Sequence, residues 1–306
     1  MADSFGSMVG ALRLYVPDLP LTLAEHFIRD RYRRLAERRP WAGLRRESEF
    51  LVNAAKTAGT VTVTNNSTSI VGAGSAFAAS DVGRQFKIGI GSPIYTVATV
   101  TDPTHLTLDR VWGGVTAGTQ TYKVWDGYVT VPTDFMRFIA VTDPLRGWRL
   151  RHWITQDELI RWDPQRTFTG DPYALIDRRF SASGVPQYEL WPYCLTQRGL
   201  PYYYIARPAD LVDDDDEPFY PMRGDVIVSG ALADLCRWPG TPDAKNPMFN
   251  LQNMTLFRTF EAEFEDKLVE LERADEDVYM TWYANNSWAE WPFAPMSAAY
   301  IQSHAV

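Results

Sequence analysis

The sequence predicts an α+β chain: a helical bundle with a long C-terminal helix, interrupted by an inserted small β-sandwich or β-barrel module and a further mixed β region. Three observations predict it. Apolar residues recur at helical spacing near both ends of the chain. At about residue 57 the composition turns to Thr, Val, Gly and Ser, with apolar residues alternating at period two. The length of 306 residues, against about 150 per domain, allows more than one folding unit.

Residues 1–56 are expected to form the N-terminal helical part of the bundle. Leu21, Ala24, Phe27, Ile28, Tyr32 and Leu35 make one apolar stripe. Arg29, Arg31, Arg33, Arg34, Arg38 and Arg39 are expected on the opposite face, and the basic pattern continues into Arg45 and Arg46. Pro17 and Pro20 make the approach extended, and Pro40 ends the helix. Residues 57–126 are expected as the inserted β-module. Thr60-Val61-Thr62-Val63-Thr64 reads as a half-buried strand, Asn65-Asn66-Ser67 as a turn, and Thr68 to Val71 as the returning strand. Further strands are expected over 84–90, 94–101, 105–108 and 121–125.

Residues 127–208 read as mixed, with strands over 128–131, 135–142, 187–191 and 202–206. Between them Thr155-Gln156-Asp157-Glu158 has the pattern of a capping box, and Pro164 limits the helix it opens to about two turns. Residues 209–284 are expected to supply the C-terminal helices. After the acidic run Asp213–Glu217, Asp225 is expected to cap a helix through Val226, Leu232 and Leu235, stopped by Pro239-Gly240. A longer helix, from about Leu251 to Ala284, carries the stripe Met254, Phe257, Phe260, Phe264, Leu268 and Leu271, with acidic residues on its other faces. Residues 285–306 read as an extended tail with Trp288, Trp291, Pro292, Phe293, Met296 and Tyr300 and no helical period.

Composition excludes several classes. Hydrophobic residues make up 45% and charged residues 22%, so wholesale disorder is excluded. A net charge of −8 argues against a nucleic-acid binder acting through bulk charge. Only five of the 30 basic residues are lysine, so the basic side is built for fixed, planar contacts. Aromatics at 13%, with 11 Trp, suit interfaces as well as cores. Cys194 and Cys236 read as two free thiols in a reducing compartment, or as one structural disulfide. The N-terminus has no basic segment ahead of an apolar core, so no signal peptide is expected. No apolar run has the length to span a bilayer, so no membrane partner is expected.

Chemical motifs are scarce. His26, His105, His152 and His304 are scattered and no HExxH occurs, so no metal site is expected. The acidic run Asp213–Glu217 fails the calcium-loop pattern, because Pro218 stands where the turn glycine belongs. Gly72-Ala73-Gly74 and Gly89-Ile90-Gly91 precede no helical pattern and read as hairpin turns rather than phosphate cradles. No GxSxG elbow is present. No catalytic residue and no cofactor are assigned.

Two features remain. The first is charge segregation between the arginine-rich N-terminal helix and the acidic C-terminal one. Such helices can pair within a chain, pair between neighbouring chains, or place the arginines on nucleic-acid phosphates. As inter-subunit contacts, the candidates are Arg29, Arg31, Arg33, Arg34 and Arg38 against Glu263, Glu270 and Glu272. The second is the aromatic tail, which either folds back or docks into a partner's groove.

The order of parts resembles the head-to-tail adaptor, or connector, proteins of tailed bacteriophages. The resemblance is carried by Leu19-Pro20 ahead of Ile28-Arg29-Asp30-Arg31-Tyr32, and by Tyr128-Val129-Thr130-Val131-Pro132 before Asp134-Phe135-Met136-Arg137. Thr155-Gln156-Asp157-Glu158-Leu159, the run Tyr202 to Pro208, Ser229-Gly230-Ala231-Leu232-Ala233 and the C-terminal helix continue it. Ala79-Ser80-Asp81-Val82-Gly83-Arg84, running on to Leu108, looks like small β-modules of phage virion proteins. The resemblance implies a structural protein of the virion neck, assembled in the host bacterial cytoplasm, without catalysis. It implies a closed ring of about twelve identical subunits below the portal protein. It also implies a distal tail or nozzle protein as partner and transient contact with passing DNA. Portal binding falls to the tail residues Trp288, Trp291, Pro292, Phe293, Met296 and Tyr300. The competing readings are another neck or tail protein, and a carbohydrate-binding or carbohydrate-cleaving virion protein with its site on the β-module.

Overall fold

The computed structural model describes residues 4–151, 154–181, 183–240, 245–249 and 255–285, the last nine and residue 178 by backbone alone. The chain divides into two units. One takes in the chain through Arg46, Asp134–Arg137 and the chain from Tyr204 through the last described helix. The other takes in Glu47–Thr133 and Phe138–Tyr203.

Among its described residues the first unit holds four α-helices. Ser4 opens α1 (Phe5–Tyr15) by accepting from the Ser7 N–H at 3.4 Å, and Phe5, Met8, Val9 and Leu12 form its buried stripe. The second, α2 (Leu21–Arg38), starts straight after Pro20 and buries Ala24, Ile28, Arg31, Tyr32, Leu35 and Ala36. Arg31 therefore lies on the buried face and not on the polar face expected of it. Trp41 follows, fully buried, donating to the Leu35 carbonyl at 2.8 Å. Gly43 is needed where it stands: a Cβ there would lie 1.7 Å from the Tyr220 carbonyl oxygen. The helix α4 (Gly224–Leu235) packs against α1, α2 and α5 (Thr255–Asn285) and is apolar nearly all round. Its N-cap is Arg223, so Asp225 sits inside the first turn rather than capping it.

In the second unit, seven strands make one antiparallel sheet: β2 (Thr60–Val63), β3 (Ser69–Ala73), β4 (Gln85–Ile88), β5 (Tyr95–Asp102), β6 (His105–Leu108), β7 (Ala117–Gln120) and β8 (Tyr122–Trp125). Their order is β7-β2-β3-β6-β5-β4-β8. The edge strands β7 and β8 are separated by one residue, Thr121. Consecutive Cα atoms lie about 3.8 Å apart, so the sheet has to curl until its two edges adjoin. Inside the curl lie Val61, Val63, Ile70, Phe86, Val97, Leu106 and Val124, the alternate residues of the strands. The Tyr122 hydroxyl donates to the Ala58 carbonyl at 2.7 Å and satisfies the one polar atom that ring carries inward.

Two further sheets follow. A four-stranded one runs β1 (Arg45–Val52), β14 (Arg198–Ala206), β10 (Phe135–Asp143), β11 (Trp148–Arg149). A three-stranded one runs β12 (Ala174–Phe180), β13 (Pro186–Trp191), β9 (Tyr128–Thr130). Between β11 and β12 lies α3 (Gln156–Trp162), with Thr155 and Glu158 in the reciprocal capping box that the sequence indicated.

The predicted fold class is corrected. The β structure is no insert in a helical bundle: strands in three sheets fill the chain from Arg45 to Ala206, with α3 the one α-helix among the described residues there. The expected sandwich or barrel is a single curled sheet. Physically, Arg45 and Arg46 prolong the arginine pattern of α2 past Pro40 and hide the alternation of β1. Likewise Asp177, Arg178 and Arg179 make β12 read as loop, although Ala174, Leu175 and Ile176 are buried, on both faces of the strand.

Candidate assembly surface

The arginines of α2 are committed within the chain. Arg31 lies under the ring of Phe264, its guanidinium carbon 3.8 Å from the centroid, with Asp234 at 3.5 Å and Glu261 at 3.9 Å. A Cβ on Gly230 of α4 would meet its Nε at 2.1 Å, so this glycine makes room for the buried cation. Arg34 pairs with Asp30 at 2.6 Å and with Asp234 at 3.9 Å, and Arg38 with Glu272 at 3.1 Å and Glu265 at 3.8 Å. Arg39 reaches Asp275 at 3.4 Å and Glu276 at 3.7 Å. The fully buried Asp275 also accepts from the Ala42 N–H at 2.8 Å.

Arg33 forks onto both carboxylate oxygens of Asp210 at 2.8 Å. That bond holds the Asp210 carboxyl below its ordinary range. Arg29 donates to the Leu211 carbonyl at 2.7 Å and lies over Phe5. Glu263 meets Lys267 at 2.5 Å and Ser229 at 3.3 Å, while Glu270 meets Arg223 at 3.3 Å. The structure brings Arg38 and Glu272 together within one chain, whereas the sequence offered the two sets as contacts between subunits. It gives Arg29, Arg31, Arg33, Arg34, Glu263 and Glu270 other partners. The tail residues Trp288, Trp291, Pro292, Phe293, Met296 and Tyr300 lie outside the described residues.

Sequence reasoning missed Asp275 and Asp234. For Asp275 the signal was present: Phe264, Leu268, Leu271 and Asp275 fall at i, i+4, i+7 and i+11, so the carboxylate occupies a core position of its stripe. Asp234 carries no comparable signal, because α4 is buried nearly all round.

The second unit has its own buried charge network. The motif Asp81-Val82-Gly83-Arg84 closes on itself, Arg84 Nη1 lying 2.8 Å from Asp81. Lys56 reaches the same carboxylate at 2.6 Å, and Arg84 Nε reaches Asp126 at 2.5 Å. Burial pushes the Asp81 carboxyl up, but the bonds from Lys56 and Arg84 outweigh it and leave its pKa lowered. Lys123 reaches the Arg166 carbonyl, and its ammonium lies over the rings of Trp125 and Tyr193 at 4.7 Å and 4.5 Å. Burial, with the Lys87 charge nearby, pushes its pKa down to about 8 against the pull of Asp163. Cys194 and Cys236 are both free and buried, and burial pushes the Cys194 thiol up to about 12.

The weaker motif candidates resolve into local structure. Asp216 accepts from the Val212 and Asp213 N–H groups at 2.6 and 2.8 Å. The carbonyls of Asp214 and Asp216 accept from Gly6 and Phe5, so the acidic run satisfies donors at the N-terminus of α1. Among the described residues no group of His, Cys, Asp and Glu could hold a metal ion. Gly89 and Gly91 take φ of +54° and +84° between β4 and β5, as turn residues do. No helix among the described residues is long and apolar enough to cross a membrane.

Arginines fixed by carboxylates are what a protein needs to hold a rigid surface toward its partners. That is the work of an adaptor, and a family model for adaptor proteins matches residues 104–288, more than half of the chain, from β6 past the end of α5. The chain belongs to the SU10 adaptor protein family: it is a structural adaptor of a bacteriophage, a virion component that meets other head or tail proteins. No curated protein matches the chain.

Proposed function

We propose that this chain is the head-to-tail adaptor of its virion, acting without turnover. About twelve copies form a closed ring below the portal, join the capsid to the tail and leave a passage for DNA. The family match over residues 104–288 carries this reading. Charge supports it. At −8 per chain, such a ring holds on the order of −96, and an acidic wall lets DNA pass without gripping it. The paired arginines of α2 stiffen each copy, the tail from Trp288 onward docks on the portal, and the distal face receives a tail or nozzle protein.

The test is negative-stain imaging of the full chain mixed with the portal protein of its own genome. A ring stacked beneath the portal is expected, and its symmetry reads the copy number. No added density at micromolar protein would overturn the portal-bound position and move the chain to another part of the neck or tail.

A further inference from the structure

In the unit built from Glu47–Thr133 and Phe138–Tyr203, Trp162 and Phe168 remain 50% and 54% exposed. Both rest on Trp191, with ring centroids 5.9 Å and 6.0 Å away. Trp191 is itself fixed, its Nε1–H donating to Asp163 at 3.1 Å. Asp163 is pinned in turn by the N–H groups of Thr167 and Phe168 at 2.7 and 3.1 Å. The two exposed rings are therefore pre-organised and lose little entropy on contact, as interface anchors should. Beside Trp162 the exposed Arg161 has no carboxylate within ion-pair distance among the described residues.

In the other unit, the outward stripe of α5 runs Ala262, Asp266, Val269, at i, i+4 and i+7. All three are exposed, Val269 at 43%. Asp266 has no cation within ion-pair distance among the described residues, although its neighbours Glu265 and Glu270 pair with Arg38 and Arg223. One chain thus carries an aromatic patch with an uncommitted arginine, and an aliphatic stripe with an uncommitted carboxylate.

We propose that Trp162 and Phe168 of one copy seat on the Ala262–Val269 stripe of α5 of a second copy, with Arg161 on Asp266. The two halves differ, so the contact is head-to-tail. Such contacts propagate from copy to copy and close into a ring when the rotation between copies closes, whereas a self-matching patch stops at a dimer. The opposite charges set the register and the rings supply the buried core. This inference rests on the ring reading above.

The test mixes two full-length single variants, Trp162→Cys and Val269→Cys, on the portal protein under mild oxidation. Covalent dimers are expected from the mixture and none from either variant alone. Phe168→Cys with Ala262→Cys gives a second pair. Separately, Arg161→Glu is expected to lower ring occupancy about tenfold, and adding Asp266→Arg to restore it. Rings seen by imaging with no dimers from either pair would overturn this contact and leave the ring reading standing. So would cross-linking to the portal protein instead. Absence of any ring overturns both.

Discussion

Asp275 sits fully buried, accepting a hydrogen bond from the Ala42 N–H at 2.8 Å and forming an ion pair with the Arg39 guanidinium at 3.4 Å. Asp275→Ala leaves the Ala42 N–H without its acceptor and removes one ion-pair partner of Arg39, which is partly exposed and keeps Glu276 and the Glu272 carbonyl, so part of the cost is recovered. A loss of about 2–3 kcal/mol is expected in urea unfolding, with Asp275→Asn losing less because its amide oxygen can still serve Ala42. A loss below about 0.5 kcal/mol would mean that Ala42 and Arg39 find other acceptors. Lys123 gives a pH signature. Its pKa is pushed from 10.5 down to about 8 in the folded chain. Between those values the unfolded chain holds a proton that the folded chain has released, so this residue makes stability rise with pH across the window. Tyrosines and thiols titrate there too, so the quantity to measure is the difference in stability between the wild type and Lys123→Met from pH 7 to 11. A difference that stays flat would mean that Lys123 keeps its proton in the fold as it does in water.

At the scale of elements, what the sequence reveals depends on whether the signal is local. The capping box at Thr155 is a four-residue pattern and stands in the structure as read, with Thr155 accepting from the Glu158 N–H at 3.3 Å. Because α3 has only seven residues, this cap is a large part of what holds it. Thr155→Ala is expected to cost about 1 kcal/mol and to speed amide exchange in α3 ahead of the sheets. Equal protection in wild type and variant would show that packing on Leu159 holds the helix instead. The period-two run at Thr60 is likewise local, and β2 spans Thr60–Val63. What was not legible depends on distant partners. The short β7 has no alternation of its own and forms because β2 offers it an edge. Arg31 was placed on the polar face of α2 because its charge says so. It is buried because Phe264, Asp234 and Gly230 converge on it from two other helices, and no spacing in the sequence encodes that convergence. The α2 arginines were legible as a charged set, while their carboxylates on α4 and on the 210–217 loop were not.

For the whole molecule, the net charge of −8 arises entirely after residue 208, and the rest of the chain is net positive. The acidic part ends abruptly: from residue 286 on, Glu290 is the only acidic residue and no Lys or Arg occurs. The match to the adaptor family stops at the same place, at residue 288. A segment at and beyond the end of the shared part, nearly uncharged and holding Trp288, Trp291, Phe293 and Met296 within nine residues, suits recognition of one particular partner through apolar anchors. Deleting the chain from Trp288 onward is therefore expected to abolish binding to the portal protein while leaving the unfolding midpoint unchanged. Trp291→Ala alone should weaken binding about thirtyfold, equivalent to about 2 kcal/mol, as loss of an aromatic anchor does. Because the tail brings almost no charge, affinity should change little between low and physiological salt. Binding by the truncated chain at wild-type affinity would refute the tail as the portal contact. Steep salt dependence would instead assign the contact to the acidic α5.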